Sequence, residues 1–181
     1  YKNIAFFLDL RYLVDRRFYL NGYDEENISI INQFIKEKKI EYFIDIGSCW
    51  GIYSIQLAKA NLNLKVISFD AFKNNIERLK EMLSKNNIIN VKPYNYAIGE
   101  YEKIIELSVN ESFSPNYSKD LKGKYKIKVN QKKLDNFLEI KNSKIVIKID
   151  VERSEEGVLR GSKKFLQNNS CLIQIESNAI N

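Results

Sequence analysis

The 181-residue chain contains no histidine. That absence removes the commonest general base and the commonest metal ligand, so proton transfer must fall to a carboxylate, a lysine of lowered pKa, a tyrosine or water. Proline is almost as scarce, and neither Pro93 nor Pro115 marks a linker. Two cysteines, Cys49 and Cys171, do not make the even, spaced framework of a secreted disulfide scaffold, which points to a reducing cytoplasm. No apolar run is long enough to span a membrane, and there is no internal repeat or low-complexity tract. Arginine clusters and RNA-binding aromatic motifs are missing as well. The net charge of +6 comes from lysine spread along a chain rich in isoleucine and asparagine, a bias that A/T-rich coding produces by itself. No nucleic-acid partner is therefore expected. The chain opens at Tyr1 and its one methionine, Met82, falls inside a helical pattern, so it reads as a segment of a longer protein or a trimmed chain.

What is present fits one soluble domain over residues 1–181, with 44% hydrophobic and 29% charged residues. The runs YFIDI (42–46), KVISF (65–69) and IVIKI (145–149) are short and rich in Ile, Val and Phe, as strands buried on both faces of a parallel sheet must be. Helical spacing lies between them, at Ile28, Ile31 and Ile35, at Ile76, Leu79 and Leu83, and over Glu155–Leu166, with Asp24 and Ser154 as N-cap candidates. Strand and helix in alternation predict an α/β three-layer sandwich around a mostly parallel sheet. Two regions depart from it. Residues 1–40 read as an aromatic-rich helical cap (Phe6, Phe7, Tyr12, Phe18, Tyr19) on a core of 41–181. Ile104–Val129 reads as two strands around the polar loop NESFSPNYSKDLKGK, either a lid or a plain loop. Lys124, Lys126 and Lys128 alternate with Tyr125, Ile127 and Val129, the look of a protected edge strand rather than of a patch that steers an anion.

Three segments carry chemistry. The first strand runs into Asp45-Ile-Gly47-Ser48-Cys49-Trp50-Gly51 and then a helix. Glycines at such a turn permit positive φ and close approach of a ligand to backbone, and the helix start offers free amides. The spacing lacks the central glycine of the dinucleotide fingerprint, which weakens a nicotinamide-linked reading. A carboxylate at Asp45 suits a ligand bearing an ammonium group instead. The second strand ends at Asp70, about twenty residues past the glycine turn, the separation at which an acid meets ribose hydroxyls. The third segment, Lys148-Ile-Asp150-Val-Glu152-Arg153-Ser-Glu155, places several charges at the end of an apolar strand, which is costly unless they are paired or used. Glu176, closing the strand SCLIQIE, projects to the same edge.

Taken in order, FIDIGSCWGIYS, VISFDAFKNN, NYAIGE, KKLDNF, KIDVERSEEGVLRGSKKFL and LIQIES resemble the motif series of the FkbM-type methyltransferases: DxGANxGxxS, a strand ending FEP, a later LD, and KxDxEGxE followed by VLxG. The resemblance covers roughly residues 40 to 177. It implies a Rossmann-like class I methyltransferase fold, here ending before the final antiparallel strand pair, and S-adenosylmethionine as cofactor. It also implies transfer to an oxygen, often a hydroxyl of a sugar or secondary metabolite. By the same resemblance Asp45, Gly47 and Gly51 line the methionine and ribose side, Tyr53 and Ser54 fill the first-helix positions, Asp70 stands for the ribose acid, and Asn95 to Ala97 lie near the adenine. Ser48 and Cys49 replace Ala-Asn, Ala71 replaces proline, and Arg153 replaces a glycine; the first three are compatible with cofactor binding, whereas Arg153 reshapes the acceptor pocket, binds an anionic acceptor or blocks turnover. Asp150 is expected as base or metal ligand, with Lys148, Glu152 and Glu176 in support; whether a divalent metal takes part is left open. The competing expectation is a degenerate domain of the same fold that binds cofactor, or nothing, and serves as an interaction module.

Overall fold

The computed structural model describes residues 3–109, 117–118 and 125–176. Five strands, β1 (Tyr42–Ile46), β2 (Lys65–Phe69), β3 (Val91–Tyr94), β8 (Lys144–Ile149) and β9 (Ser170–Ile175), form one parallel sheet in the order β3-β2-β1-β8-β9. The order reverses at β1, and such a switch point opens a crevice at the carboxyl ends of the strands. Among the described residues β9 is the last strand of this sheet. A small second sheet, β4-β7-β5-β6, joins β4 (Ala97–Ile98), β5 (Lys103–Val109), β6 (Tyr117–Ser118) and β7 (Tyr125–Lys132).

Alternation along the strands divides the core. Phe43, Val66 and Val146 point to one face, against α2 (Glu25–Lys38), α3 (Ile52–Ala60) and α4 (Lys73–Lys85). Ile44, Ile46, Ile67, Ile145 and Ile147 point to the other, against α5 (Leu134–Phe137), α6 (Glu155–Gly161) and α7 (Lys163–Gln167). Asp45, Ser68 and Lys148 therefore share the α3 face. The parallel register sets them side by side, Asp45 beside Ser68 on one neighbour and beside Lys148 on the other.

The expected helices at 28–35 and 76–83 form, with Ile28, Ile31 and Ile35 buried as one stripe. Other expectations need correction. Residues 3–12 carry no helix; the cap is α1 (Leu13–Asn21) and α2, preceded by irregular chain. Phe6 and Phe18 pack edge-on against Trp50, at 5.8 and 5.5 Å, whereas Phe7, Tyr12 and Tyr19 are exposed. The pattern at 155–166 is two helices broken at Ser162, whose hydroxyl donates to the Val158 carbonyl at 2.7 Å and whose neighbour Gly161 lies against the Gly99 backbone. Asp24 and Ser154 hold the N-cap positions, but neither side chain caps; Asp24 accepts instead from Asn27 at 2.6 Å and from the Tyr53 hydroxyl. β7 lies inside the small sheet, yet β4 pairs only with Gln131 and Lys132, so Lys126 and Lys128 border open backbone on that side among the described residues. Both are exposed, Val129 is buried, and Lys126 pairs with Glu106 at 3.2 Å. Lys124 and most of the polar loop lie outside the described residues.

Candidate active site

A cavity of about 360 Å³ opens at the carboxyl ends of β1, β2 and β8. The glycine turn shapes its floor. Gly47 and Gly51 take left-handed φ of 80° and 86°, as does Cys49 at 50°. A Cβ on Gly47 would stand 1.8 Å from the Asp150 carbonyl oxygen, so this glycine lets the turn after β1 lie directly on the end of β8. Gly51 serves helix packing: its Cβ would meet Leu79 of α4 at 2.4 Å, and it does not line the cavity.

Asp45 is 1% exposed. Its Oδ2 accepts from Ser54 Oγ at 2.7 Å, and Ser54 is linked in turn to Ser68 Oγ at 2.7 Å, while Oδ1 is buried without a hydrogen-bond partner among the described residues. Burial raises its pKa, opposed by Lys148 and the Ser54 hydrogen bond. Lys148, 6% exposed, donates to Asp150 Oδ2 at 2.9 Å and sits 5.0 Å from the Tyr53 ring centroid. Burial alone would lower the lysine; Asp45 and Asp150 overcome it and hold the ammonium above its ordinary value. Glu176 reaches the same place from β9, pushed up to about 7 by burial, by the Asp150 charge and by a hydrogen bond with Asp150. Tyr23, on the loop between α1 and α2, also feels Asp150 and Glu176; burial first, then those charges, push it up to about 12. Asp150 and Glu176 were the candidate metal ligands, and among the described residues no group of three or more His, Cys, Asp or Glu is placed to hold an ion.

Asp70 is engaged on both oxygens. Oδ2 accepts from the Cys49 amide at 2.9 Å, and Oδ1 accepts from the Phe72 amide at 2.8 Å and Asn75 Nδ2 at 3.1 Å. These bonds tie β2 to the glycine turn. Burial nevertheless outweighs them and pushes Asp70 up to about 7. The folded chain therefore keeps a proton that the unfolded chain releases near pH 4, and stability falls as pH rises from about 4 to about 7. Relative to Asp70→Asn, the wild type is expected to lose on the order of a few kcal/mol across that window. Urea midpoints at both ends of it check this, and a wild-type-to-variant difference that stays flat with pH rules it out.

Of the residues named from sequence, Asp45, Gly47, Ser48, Cys49, Tyr53, Asp70, Ala71, Ala97, Lys148, Asp150, Glu152 and Glu176 border the cavity. Gly51 and Asn95 do not; Asn95 donates to the backbone carbonyls of Asp70 and Ala71 at 3.0 and 2.9 Å and so braces the loop behind the wall. Arg153 is exposed and absent from the wall, so its side chain neither fills nor blocks the cavity. It does occupy a left-handed conformation, φ 67°, next to Glu152 at 47°. A residue there other than glycine costs about 1 kcal/mol, which gives a backbone reason for the glycine of the KxDxEG pattern. Tyr96, inside the expected stretch Asn95 to Ala97, is on the wall, whereas sequence reasoning missed Val14, Arg17, Tyr23, Asn75 and Gln131 there. Asn75 had a signal, in the first turn of α4 and five residues after Asp70; the cap residues had none.

A parallel sheet reversing at β1, with a glycine turn and acidic residues at the strand ends around one cavity, is a Rossmann-like α/β fold. The methyltransferase FkbM domain model matches residues 45–181, and the chain belongs to that family of S-adenosylmethionine-dependent methyltransferases. Among solved structures the chain is similar to precorrin-6y C5,15-methyltransferase from Geobacter metallireducens GS-15 (12% identity, 83% of this chain and 61% of that one, TM-score 0.49). It is also similar to TehB from Haemophilus influenzae (16%, 87% and 42%, TM-score 0.48) and to coclaurine N-methyltransferase bound to N-methylheliamine and SAH (15%, 84% and 36%, TM-score 0.46). The chain thus spans 36% to 61% of the length of these proteins. No match is found among curated proteins.

Proposed function

We propose that this chain binds S-adenosylmethionine and transfers its methyl group to a hydroxyl oxygen of a sugar or small secondary metabolite, working in the cytoplasm on a small-molecule or carbohydrate acceptor rather than on nucleic acid. The observation that carries the reading is Asp45 Oδ1, a carboxylate oxygen buried at the cavity without a hydrogen-bond partner among the described residues. An ammonium group is the donor such an atom lacks, and the methionine end of the cofactor brings one. Asp70 stands one strand away, where ribose hydroxyls would replace the donors it now holds. The cavity volume falls within the usual range of small-ligand sites. Among the described residues no helix is long and apolar enough to cross a membrane.

When bound, the cofactor supplies an electrophilic methyl carbon on a sulfonium. The chain's part is to align the acceptor oxygen with that carbon and to take up its proton. Asp150 is the proposed proton acceptor: its carboxylate borders the cavity, and Lys148 fixes it through Oδ2. Tyr53, pinned by Asp24, keeps Lys148 in place from the other side. Glu152 and Glu176 complete the acidic rim and offer hydroxyl-binding oxygens to the acceptor.

Calorimetry with S-adenosylmethionine and S-adenosylhomocysteine tests the first half of the reading, and failure of the wild type to bind either would sink it. For the second half, Asp150→Asn is expected to bind S-adenosylhomocysteine within about twofold of wild type while losing roughly 10²- to 10⁴-fold in labelled methyl transfer to a panel of monosaccharides and hydroxylated metabolites. Undiminished transfer removes Asp150 from the role. A domain that binds cofactor without turnover is the second reading, favoured by the full engagement of Asp70 with the chain's own donors; cofactor binding without transfer to any acceptor would support it.

A further inference from the structure

Two cations face the cavity among the described residues, Arg17 and Lys148, against Asp45, Asp70, Asp150, Glu152 and Glu176. Lys148 is committed to the carboxylates on either side of it. Arg17 makes no ion pair or hydrogen bond among the described residues. It is therefore the wall's available positive charge. The position of α1 is not arbitrary either. Asp15 and Phe18 hold its adjoining flank down, Asp15 on Arg78 of α4 and Phe18 on Trp50 of the glycine turn. Val14 and Arg17, three residues apart, then share the face that looks into the cavity.

The glycine turn supplies little to an anion. Four of its amides are already spent: Gly47 and Ser48 donate to the Phe69 carbonyl at 2.9 and 3.0 Å, Cys49 to Asp70 at 2.9 Å, and Gly51 to the Ser48 carbonyl at 2.8 Å. Ser48 is 6% exposed, and its Oγ, without a hydrogen-bond partner among the described residues, is one neutral donor still open on that wall. A ligand carrying both an ammonium and a carboxylate would find the first met by Asp45 Oδ1 and the second unmet by the turn.

We propose that Arg17 binds the α-carboxylate of the cofactor's methionine end, with Ser48 Oγ as a second donor, so that the N-terminal cap supplies the anion site the glycine turn lacks. The planar guanidinium matches a carboxylate edge-on with two donors, which a lysine does not. This inference rests on the cofactor reading above and deepens it.

The test uses two ligands that differ at one end. S-adenosylhomocysteine carries the amino-acid group, and 5′-methylthioadenosine keeps the adenosine and sulfur but lacks it. By calorimetry, Arg17→Gln is expected to weaken S-adenosylhomocysteine binding at least tenfold, about 1.4 kcal/mol, while 5′-methylthioadenosine binding stays within about twofold. Arg17→Lys is expected to fall between the two, and equal affinity of that variant and wild type would remove the bidentate geometry from the claim. Unchanged S-adenosylhomocysteine affinity in Arg17→Gln, or parallel loss of both ligands, overturns the proposal. A wild type that binds neither ligand overturns the cofactor reading as well, so the two failures are distinct.

Discussion

Gly47→Ala is expected to cost more than about 3 kcal/mol of folding free energy, a large part of the reserve of an ordinary domain. The new Cβ would lie 1.8 Å from the Asp150 carbonyl oxygen and 2.8 Å from its carbon, both backbone atoms that cannot swing aside. Asp150 is itself held, its amide donating to the Ile46 carbonyl at 2.9 Å, so relief requires the ends of β1 and β8 to part. The left-handed φ of 80° adds roughly 1–2 kcal/mol for any residue with a Cβ. Chemical denaturation followed by far-UV circular dichroism measures the loss, and a variant within about 0.5 kcal/mol of wild type would show that the strand ends are not locked together as described.

The second large effect concerns the cap. Asp15 is fully buried; it accepts from the Asp9 amide at 2.6 Å and from both terminal nitrogens of Arg78, one of them at 3.1 Å. Arg78 also donates to the Phe7 carbonyl at 2.6 Å and lies 4.7 Å from the Trp50 ring centroid. Asp15→Ala leaves that guanidinium without its counter-charge and the Asp9 amide without an acceptor. Breaking a buried pair from one side costs about 3–5 kcal/mol, and the partial exposure of Arg78, 22% of its side chain, argues for the lower figure. Trp50 is the chain's one tryptophan, so its fluorescence reports on the cap directly. A red shift in emission at temperatures where the sheet is intact is expected for Asp15→Ala. Emission and unfolding midpoint both equal to wild type would refute the anchoring role.

Legibility in the sequence follows the range of the interactions. β1, β2 and β8 announce themselves because strands covered on both faces are apolar at most interior positions, which is also why Asp45 and Lys148 stand out. The stripe Ile28-Ile31-Ile35 needs only helical periodicity. The Asp45, Asp70 and Asp150 constellation is readable since each acid lies within one residue of a strand's carboxyl end, and parallel strands deliver those ends to one edge. Contacts between distant segments left no such trace: Asp15 meets Arg78 across 63 residues. Nothing local to α1 says which of Asp15 and Arg17 turns inward to the core and which to the cavity. Gly51 shows the opposite hazard, a motif glycine read as a cofactor contact that in fact admits Leu79. The break at Ser162 was hidden because Val158 and Phe165 remain apolar on either side of it, and the helix stops where Gly161 meets Gly99.

The register that sets Asp45 between Ser68 and Lys148 bears on how the sheet assembles. Were β8 to slip by one residue, isoleucine would stand beside Asp45 and Lys148 would turn to the opposite face, among Ile44, Ile46 and Ile67. Each stranded ion would then cost several kcal/mol in an apolar interior. The apolar strands alone tolerate such mispairing, since isoleucine and valine fill both faces of β8. The charges proposed to hold the cofactor's ammonium and to fix the proton acceptor thus also discriminate against a misaligned central sheet, and neutralising both Asp45 and Lys148 would leave a chain with less to tell correct pairing from its nearest alternative.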